Sequence, residues 1–415
     1  MDDVEAEASI LTSAAGLALL AEVGAVASPA PADLARWRRS APASLVAAAL
    51  RLAEGRRKGA AKFERADRMW TDPVGVEQAT AEAVARHKAR RFADGGGSPV
   101  VDLCSGIGGD ALALAASGEV LAVDRDRGMG RRCLWNAGVY GVGDRVAAIQ
   151  ARAEAFPIPP GSRVHVDPDR RAAGPSRALG IRDYRPGVES LRSLVGSARG
   201  GAIKLGPASD FEAHFGGPDF EVELTSLGGE CKEATAWFGD LATPGARRRA
   251  TCLPSGATWT DADGPGAAPG PPIPPGAWIF DPDPALVRSG TLDGFARARG
   301  LGRLASGVDL LTGPERSGSP FLAGFEVVEV LPLDLKVLRR IVAARGLGPL
   351  EVKTRGLAVR PEAYRAKLRP KGPNPATLIL VAGRSAPGLA ILARRPGPTG
   401  RVDPRAGLDP PGPPG

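Results

Sequence analysis

A glycine-rich turn between two apolar runs constrains the fold of this sequence more than any other feature. Residues 100–110 read V-V-D-L-C-S-G-I-G-G-D and lead into an alanine- and leucine-rich segment. β-Branched residues, an acid, glycines and then helix formers predict a strand, a tight turn and a helix in that order. The glycines permit positive φ angles and let a ligand approach the backbone closely. The stretch therefore predicts the nucleoside-binding edge of an α/β domain.

The spacing of the glycines discriminates between nucleoside cofactors. The dinucleotide fingerprint G-x-G-x-x-G needs a third glycine three residues after the second, where this chain has Ala111. The turn offers no pyrophosphate cradle, so the spacing favours S-adenosylmethionine (SAM) over NAD. A second apolar run ends in Asp124, and an acid at that position suits a ribose diol. Asp102, at the end of the first run, suits the positively charged amine of the cofactor.

Residues from Val100 to about Phe156 resemble the methyltransferase domain of trimethylguanosine synthase. The resemblance rests on the D-L-x-x-G-x-G-G turn, the acid that ends the second run and the segment N-A-G-V-Y-G at 136–141. It implies a class I SAM-dependent methyltransferase, of α/β class with a Rossmann-like sheet, that prefers guanine N2 in RNA. The family places an acid for the adenine amino group near positions 152 to 154, where this chain reads R-A-E, so either Glu154 is that acid or the contact is lost. The cofactor-binding residues that follow are Asp102, Cys104, Gly106, Gly108, Asp124, Arg125 and Glu154.

The catalytic motif departs from the pattern of this class. Enzymes that methylate amino groups carry [D/N/S]-P-P followed by an aromatic residue, whereas residues 164–171 here read V-H-V-D-P-D-R-R. We predict Asp167, Pro168 and Arg170 as catalytic residues. Asp167 would orient the nucleophile, and Arg170 would stack on a base or bind a phosphate. The alternative is that Asp167 only caps a turn and that the altered motif marks lost catalysis.

Composition limits the other chemistries that this chain could support. Its 4 cysteines contain no C-x-x-C pair and it has only 3 histidines, which argues against a metal site, a disulfide framework and a Ser-His-Asp triad. The apolar N-terminal run follows acidic residues and is interrupted by Glu22, so it predicts neither a signal peptide nor a membrane span. We expect a cytoplasmic protein without a membrane partner.

The net charge of +8 is concentrated near the C-terminal end. From Phe325 onward the chain carries 16 Lys or Arg and 7 Asp or Glu, whereas the preceding 324 residues carry 38 and 39. A localised basic segment is typical of a domain that binds a phosphate backbone. The alternative is a solvated, arginine-rich face that reflects biased codon usage.

Five segments follow from hydrophobic periodicity and from the positions of Pro and Gly. We predict a helical N-terminal region at 1–95, the methyltransferase domain at 96–241, a Pro/Gly-rich linker and accessory segment at 242–324, a small basic α+β domain at 325–395 and a disordered tail at 396–415. An antiparallel hairpin is expected at the edge of the methyltransferase sheet. Residues 78–91, which include a basic helix, are expected either to line the mouth of the SAM pocket or the RNA entrance, or to form a packing helix with a solvated basic face.

Residues 325–395 resemble the THUMP-like domain that follows methyltransferase domains in some bacterial proteins. The resemblance rests on L-P-x-D-x-K, E-V-K-x-R-G and K-G-P-N-x-A-T-L within a β-α-β-α-β-β pattern. THUMP modules are associated with RNA modification, so the resemblance implies RNA as a partner. The candidate RNA-binding residues are Lys353, Arg355, Lys367, Arg369 and Lys371.

The hypothesis that unites these features is a SAM-dependent methyltransferase that acts on RNA, at guanine N2 or another base amino group. One alternative is a catalytically degenerate protein that binds SAM and RNA. Another is a small-molecule methyltransferase whose C-terminal domain serves assembly. A steep salt dependence of RNA binding would separate the two RNA hypotheses from the third.

Overall fold

The computed structural model describes residues 3–93, 98–169, 181–264, 274–382 and 388–396. Arg170 and, apart from Pro396, the tail predicted to be disordered lie outside these ranges. The chain divides into two compact units, Met1–Ala262 and Asp263–Gly415, which we call unit 1 and unit 2.

Helices precede the first strand of unit 1, as the sequence pattern predicts for residues 1–95. They are α1 (Asp3–Thr12), α2 (Ala14–Gly24), α3 (Pro31–Ser40), α4 (Ala43–Gly59), α5 (Pro73–Gln78) and α6 (Glu82–Phe92). Side-chain caps explain two of the helix starts. The Ser13 hydroxyl accepts a hydrogen bond from the amide of Gly16 at the start of α2. The carboxylate of Asp72 accepts two backbone N–H groups at the start of α5.

The first four helices build a hydrophobic core of their own around Trp37 and Leu52. Apolar side chains of α1 and α2, among them Ile10 and Val23, are buried in this core. Within the ranges that the structure describes, no single helix is long and apolar enough to cross a membrane. The pair α1 and α2, bent by 98° at their junction, passes the same test on length and composition alone.

The centre of unit 1 is a nine-stranded sheet with helices between its strands. Its strands are β1 (Val100–Leu103), β2 (Val120–Asp124), β3 (Val146–Gln150), β4 (Arg163–Val166), β5 (Gly200–Leu205), β6 (Phe220–Leu227), β7 (Glu230–Gly239), β8 (Arg248–Leu253) and β9 (Ala257–Thr260). Its helices are α7 (Ala111–Leu114), α8 (Arg127–Tyr140), α9 (Val188–Ser197) and α10 (Glu212–Phe215).

The strand order of this sheet is β3-β2-β1-β4-β5-β7-β6-β8-β9. Strands β1 to β5 are parallel, and β7 runs antiparallel to both β5 and β6. The expected Rossmann-like sheet with an antiparallel hairpin is therefore confirmed. Strands β2 and β3 lie on one side of β1, and β4 and β5 lie on the other, so the order of strands reverses between β1 and β4. In open α/β sheets, ligands bind at such a reversal, beyond the carboxyl ends of the strands.

The structure divides the chain differently from the expected boundaries at 241/242 and 324/325. Strands β8 and β9 lie in the expected linker but extend the first sheet, because β8 pairs in parallel with β6. Later parts of the same segment supply strands to unit 2. These short strands are stabilised by pairing with distant strands, which the local sequence does not reveal.

Unit 2 contains a seven-stranded mixed sheet. Its strands are β10 (Trp278–Pro282), β11 (Gly302–Arg303), β12 (Leu311–Gly313), β13 (Leu322–Pro332), β14 (Leu347–Arg355), β15 (Asn374–Val381) and β16 (Leu389–Arg394), in the order β11-β12-β10-β13-β16-β15-β14. Its helices are α11 (Pro284–Arg288), α12 (Leu292–Ala298), α13 (Leu335–Ala344) and α14 (Pro361–Leu368). The elements from β13 to β16 follow the β-α-β-α-β-β order that the sequence predicts.

The sheet of unit 2 has a separate apolar core on each face. Leu338 and Val342 of α13 and Leu368 of α14 pack with residues of β13 to β16 on one face. Ile279 and Phe325 belong to the cluster on the other face. The amphipathic pattern of α13 therefore leaves its charged side chains, such as Arg339 and Arg340, exposed on the outer surface.

A buried carboxylate joins the N-terminal helices to the helix that follows β2. The side chain of Glu7 on α1 accepts hydrogen bonds from Trp70 Nε1 at 2.7 Å and from Arg132 Nη2 at 2.7 Å, and it also pairs with Arg51 Nε at 3.2 Å. Glu7 is fully buried, so these three donors replace the water that an ionised carboxylate would otherwise bind.

We expect Glu7→Ala to lower the free energy of unfolding by about 3–5 kcal/mol, because it leaves buried Arg132 without one of its acids. Chemical denaturation monitored by tryptophan fluorescence would measure the change. The control is Glu54→Ala, which removes an exposed pair with Lys58 on α4 and should cost less than about 0.5 kcal/mol. Equal losses in the two variants would contradict this account of Glu7.

Candidate active site

A cavity of about 760 Å³ lies at the carboxyl ends of the central parallel strands of unit 1. Most of the predicted site residues meet there, although they come from four separate stretches of sequence. The lining includes Asp102, Cys104, Gly106, Asp124, Arg125, Glu154, Asp167 and Pro168. The structure therefore brings together the acids that follow or end β1, β2 and β4, as expected for parallel strands that end at one edge.

The two glycines of the turn have different surroundings. Gly106 has a φ of +54°, and a Cβ placed on it would meet open space on the cavity side of the turn. Gly108 has a φ of +94°, but it does not line the cavity, and a Cβ there would lie 2.9 Å from Cys133 Sγ on α8. The first glycine thus leaves the backbone accessible to a ligand, and the second allows close packing of the turn against α8.

Cys104 also adopts a positive φ, of +59°. Burial, with a further contribution from the charge of Asp124, raises the pKa of the Cys104 thiol well above its usual range. The thiol is therefore neutral at physiological pH, and Cys104 contributes shape to the turn rather than a nucleophile.

Asp124 connects the end of β2 to the glycine-rich turn. Its Oδ2 accepts a hydrogen bond from the amide of Gly106 at 2.9 Å, and its Oδ1 accepts one from the amide of Asp126 at 2.8 Å. Burial raises the pKa of Asp124, although the two backbone donors act in the opposite direction. Each carboxylate oxygen keeps a second lone pair, so the side chain can still accept hydrogen bonds from two hydroxyl groups.

Asp102 lies deeper in the site than Asp124 and is almost completely buried. Its Oδ1 is 2.7 Å from His165 Nδ1 on β4, whereas its Oδ2 makes no hydrogen bond within the described residues. Burial raises the pKa of Asp102. A buried carboxylate oxygen without a partner is costly, so this atom marks a place for a hydrogen-bond donor that the described residues do not supply.

Helix α6 contributes a buried ammonium group that the sequence did not reveal. Lys88 Nζ is 2.9 Å from Asp110 Oδ1, 2.8 Å from Glu233 Oε1 and 3.2 Å from His165 Nε2. Asp110 in turn accepts a hydrogen bond from the hydroxyl of Thr80 at 2.6 Å. This network, together with the contact from His165 to Asp102, lies directly behind the glycine-rich turn.

Two further side chains of α6 bind acids of the edge hairpin. His87 Nε2 is 2.8 Å from Glu223 Oε1, and Arg91 donates to Glu221 at 2.8 Å while its guanidinium lies over the ring of Trp237. Burial raises the pKa of Glu223, but His87 and Arg91 outweigh burial and hold it at about 2. His87, Lys88 and Arg91 of α6 are therefore bound to acids of the sheet. Arg86 and Arg90 are exposed, as expected for a solvated basic face, and Gln78 lines the cavity.

Asp167 is held by two neighbouring strands. Its amide donates to the carbonyl of Leu103 at 3.1 Å, and its Oδ2 accepts a hydrogen bond from Lys204 Nζ of β5 at 2.6 Å. Lys204 is buried and was not predicted as a site residue. The only feature of the sequence that could have indicated Lys204 is that it is a single lysine in an apolar strand. Its position beside Asp167 follows from the pairing of β4 with β5, which only the structure shows.

The far side of the cavity is formed by residues that the sequence did not indicate. Tyr184 lines the cavity, its hydroxyl accepts a hydrogen bond from the amide of Gly206 at 3.0 Å, and it lies 2.5 Å from Ser209 Oγ. Lys62 does not line the cavity itself, but its Nζ donates to three backbone carbonyls at the end of α5, at distances of 2.7 to 2.9 Å. Burial, and then the charge of Lys204, lowers the pKa of Lys62 to about 8.

The predicted RNA-binding residues of unit 2 fall into two groups. Lys353 Nζ and Arg355 Nη2 both pair with the carboxylate of Asp281, at 2.9 Å and 2.7 Å. The other three, Lys367, Arg369 and Lys371, are exposed on α14 and the loop that follows it. Within the parts of the chain that the structure describes, no group of three or more His, Cys, Asp or Glu side chains is arranged to hold a metal ion.

Two family models match this chain. The model for RNA cap guanine-N2 methyltransferase matches residues 98–166, and the model for THUMP domain-like proteins matches residues 322–395. An "uncharacterized S-adenosylmethionine-dependent methyltransferase" of Mycobacterium tuberculosis is 35% identical over 317 residues, which are 75% of this chain and 84% of that protein. The same values hold for the protein from strain CDC 1551 / Oshkosh and for that from strain ATCC 25618 / H37Rv.

Among solved structures, a "putative methyltransferase" from Porphyromonas gingivalis W83 has a TM-score of 0.71 and covers 91% of this chain and 98% of its own. Its sequence identity of 18% means that this likeness shows the fold alone.

The sheet order, the glycine-rich turn and the converging acids define a class I methyltransferase that uses SAM. The chain belongs to the same family of SAM-dependent methyltransferases as the mycobacterial protein.

The cavity has features that SAM requires. The orphaned Oδ2 of Asp102 matches the need of an ammonium group for an acceptor, and the open space beside Gly106 admits a ligand against the backbone. Asp124 retains acceptor capacity for a pair of hydroxyls. Asp102 and Asp124 therefore remain the proposed ligands of the amine and the ribose, and Glu154, which also lines the cavity, remains the proposed ligand of the adenine amino group.

We expect Asp124→Ala to weaken SAM binding by roughly 1–3 kcal/mol, because the ribose hydroxyls would lose their acceptor in a partly buried site. Titration calorimetry would measure the change. Asp144→Ala is the matched control, since this exposed acid lies in the turn before β3, away from the carboxyl ends of the strands. Unchanged affinity in Asp124→Ala would remove the ribose assignment.

Proposed function

We propose that this methyltransferase modifies RNA and transfers its methyl group to an exocyclic amino group of a base, with guanine N2 as the favoured acceptor. The observation that carries the proposal is the position of Asp167. Its carboxylate lies in the same cavity as the proposed cofactor ligands, and its Oδ1 makes no hydrogen bond to another described residue. The match to the guanine-N2 methyltransferase model over residues 98–166 supports the choice of acceptor.

Asp167 would act by orientation. When bound, SAM supplies an electrophilic methyl group whose carbon–sulfur bond breaks with both electrons remaining on sulfur. The acceptor nitrogen forms the new bond to carbon and loses one proton. A carboxylate that accepts a hydrogen bond from this nitrogen fixes the direction of its lone pair and stabilises the positive charge that develops on it.

The charge of the cavity favours entry of an RNA nucleobase over entry of a phosphate group. Among the described residues that line it, acidic side chains outnumber basic ones. The acidic residues are Glu77, Asp102, Asp110, Asp124, Asp126, Glu154, Asp167, Asp169 and Glu230. The basic residues are Arg125, Arg152, Arg185 and Lys232. Such a lining attracts a cation or a neutral hydrogen-bond donor and repels an anion.

Unit 2 has the opposite character. It carries 21 Lys or Arg against 13 Asp or Glu, whereas unit 1 carries 33 of each. A basic surface neutralises phosphates and provides affinity that does not depend on base sequence. Together with the THUMP-like match over residues 322–395, this charge supports RNA as the macromolecular partner.

The exposed group, Lys367, Arg369 and Lys371, is the better candidate for phosphate contacts. Lys353 and Arg355 already pair with Asp281, so binding a phosphate would cost them this partner. We therefore assign the two strand residues mainly to the packing of unit 2, and the three residues of α14 and its loop to RNA.

We expect Asp167→Ala to leave SAM affinity nearly unchanged and to slow methyl transfer by about 10²-fold or more, because the acceptor loses its orientation. Transfer of tritiated methyl groups from SAM into fractionated cellular RNA would measure the rate, with Asp144→Ala as the control. Full activity of Asp167→Ala would favour the alternative in which D-P-D-R-R is only a structural turn. RNA binding without any transfer by the wild-type protein would indicate the degenerate form.

We expect simultaneous replacement of Lys367, Arg369 and Lys371 by Ala to reduce the slope of log affinity for RNA against log salt by about 2. The control replaces Arg36, Arg38 and Arg39, three exposed residues of α3 in unit 1, and removes the same total charge. Fluorescence anisotropy with a labelled RNA would measure both slopes. The same decrease in both variants would mean that only overall charge matters, and no RNA binding at all would support the small-molecule alternative.

A further inference from the structure

Lys204 is the one buried cation that directly contacts a proposed catalytic group within the described residues. It lies on β5, whose pairing with β4 matches Val166 with Ile203, so the next residues along the two chains are Asp167 and Lys204. Its Nζ is 2.6 Å from Asp167 Oδ2 and 3.4 Å from the carbonyl oxygen of Gln78. We propose that Lys204 is a positioning residue for methyl transfer, which acts by holding the carboxylate of Asp167 toward the substrate. The inference rests on the proposed function of Asp167.

The burial of Lys204 is difficult to explain by folding alone. The side chain is 5% exposed, and every residue of β5 is buried. An apolar residue would fill this position without the desolvation cost of an ammonium group, and buried ion pairs are often no more stabilising than apolar side chains of similar volume. The ammonium group is useful if the orientation of its partner matters, because a short charge-assisted hydrogen bond fixes that orientation.

The departure of the motif from its usual pattern supports the same conclusion. In this chain Asp169 follows Pro168 where the pattern has a second proline, so the rigid Pro-Pro restraint after Asp167 is missing. The backbone of Asp167 is bonded to Leu103 of β1, and its side chain to Lys204 of β5. Contacts from the two neighbouring strands thus supply the restraint that the local sequence lacks.

This arrangement also restricts the class of acceptor. Lys204 donates to Oδ2 of Asp167, and a carboxylate that is paired with an ammonium group only accepts hydrogen bonds. The substrate atom beside Oδ1 must therefore carry a hydrogen. An amino group meets this requirement, whereas a ring nitrogen that has only a lone pair does not.

The test compares Lys204→Met with Lys204→Arg in the full-length protein. We expect Lys204→Met to lower kcat for transfer of tritiated methyl groups into fractionated cellular RNA by about 10- to 100-fold, because a small misplacement of a reacting group is costly. The Kd for SAM and the KM for the RNA fraction should stay within about twofold, as expected for a group that acts on orientation alone. Lys204→Arg keeps a cationic donor and should recover most of the loss, whereas a purely structural role predicts equal effects on kcat and on both binding constants.

A double-variant cycle with Asp167→Asn separates this inference from the proposed function. If Lys204 acts through Asp167, Lys204→Met should cause no further loss of kcat in the Asp167→Asn background. Independent, multiplying losses would overturn the inference, as would full kcat in Lys204→Met. Full kcat in Asp167→Asn would instead overturn the proposed function. Thermal melting checks folding, and Lys204→Gln repeats the cycle if the methionine variant is unfolded.

Discussion

The ammonium group of Lys88 is the interaction on which the rest of the site depends. It joins α6, the start of α7, β4 and β7 through Asp110, His165 and Glu233. Burial alone would lower the pKa of Lys88, but the two carboxylates outweigh burial and raise it. The group therefore stays charged, and each of its partners is held in one place, since an unpaired charge at this depth would be strongly destabilising. The network therefore holds Asp110, the residue at which the glycine-rich turn passes into α7.

The network extends to the cofactor side of the cavity through a histidine. His165 lies between Lys88 and Asp102, and it is fully buried with them. Burial would lower the pKa of His165, but the carboxylates of Asp110 and Asp102 outweigh it and raise the pKa above the usual value. The orientation of Asp102, the proposed amine ligand, is thus determined by side chains from β4 and α6. Asp124 is oriented separately, by backbone amides of the turn and of the residue before α8.

The two units differ in electrostatic character, in the way that the proposed action on RNA would require. The cavity of unit 1 is rich in acids, which suits a cationic cofactor and a neutral base, while unit 2 carries all of the excess positive charge. One surface cannot both attract phosphates and repel them, so under the proposed function this separation would give affinity for the RNA backbone without drawing phosphates into the cavity. Asp281 pairs with both Lys353 and Arg355 and offsets one of their two positive charges, whereas Lys367, Arg369 and Lys371 are exposed.

The sequence by itself determined the central strands, the glycine-rich turn and the convergence of Asp102, Asp124 and Asp167. Each of these acids stands at or next to the end of an apolar run, and the carboxyl ends of parallel strands lie at one edge of a sheet. Only the tertiary structure decided which side chains support them. Lys88, Lys204 and Tyr184 act through partners that are distant in sequence, and the packing role of Gly108 depends on a cysteine of α8. The boundary at 262/263 and the pairing of Lys353 with Asp281 could not be predicted for the same reason. Both depend on contacts between residues that are distant in sequence, and such contacts leave no periodic pattern in the local sequence.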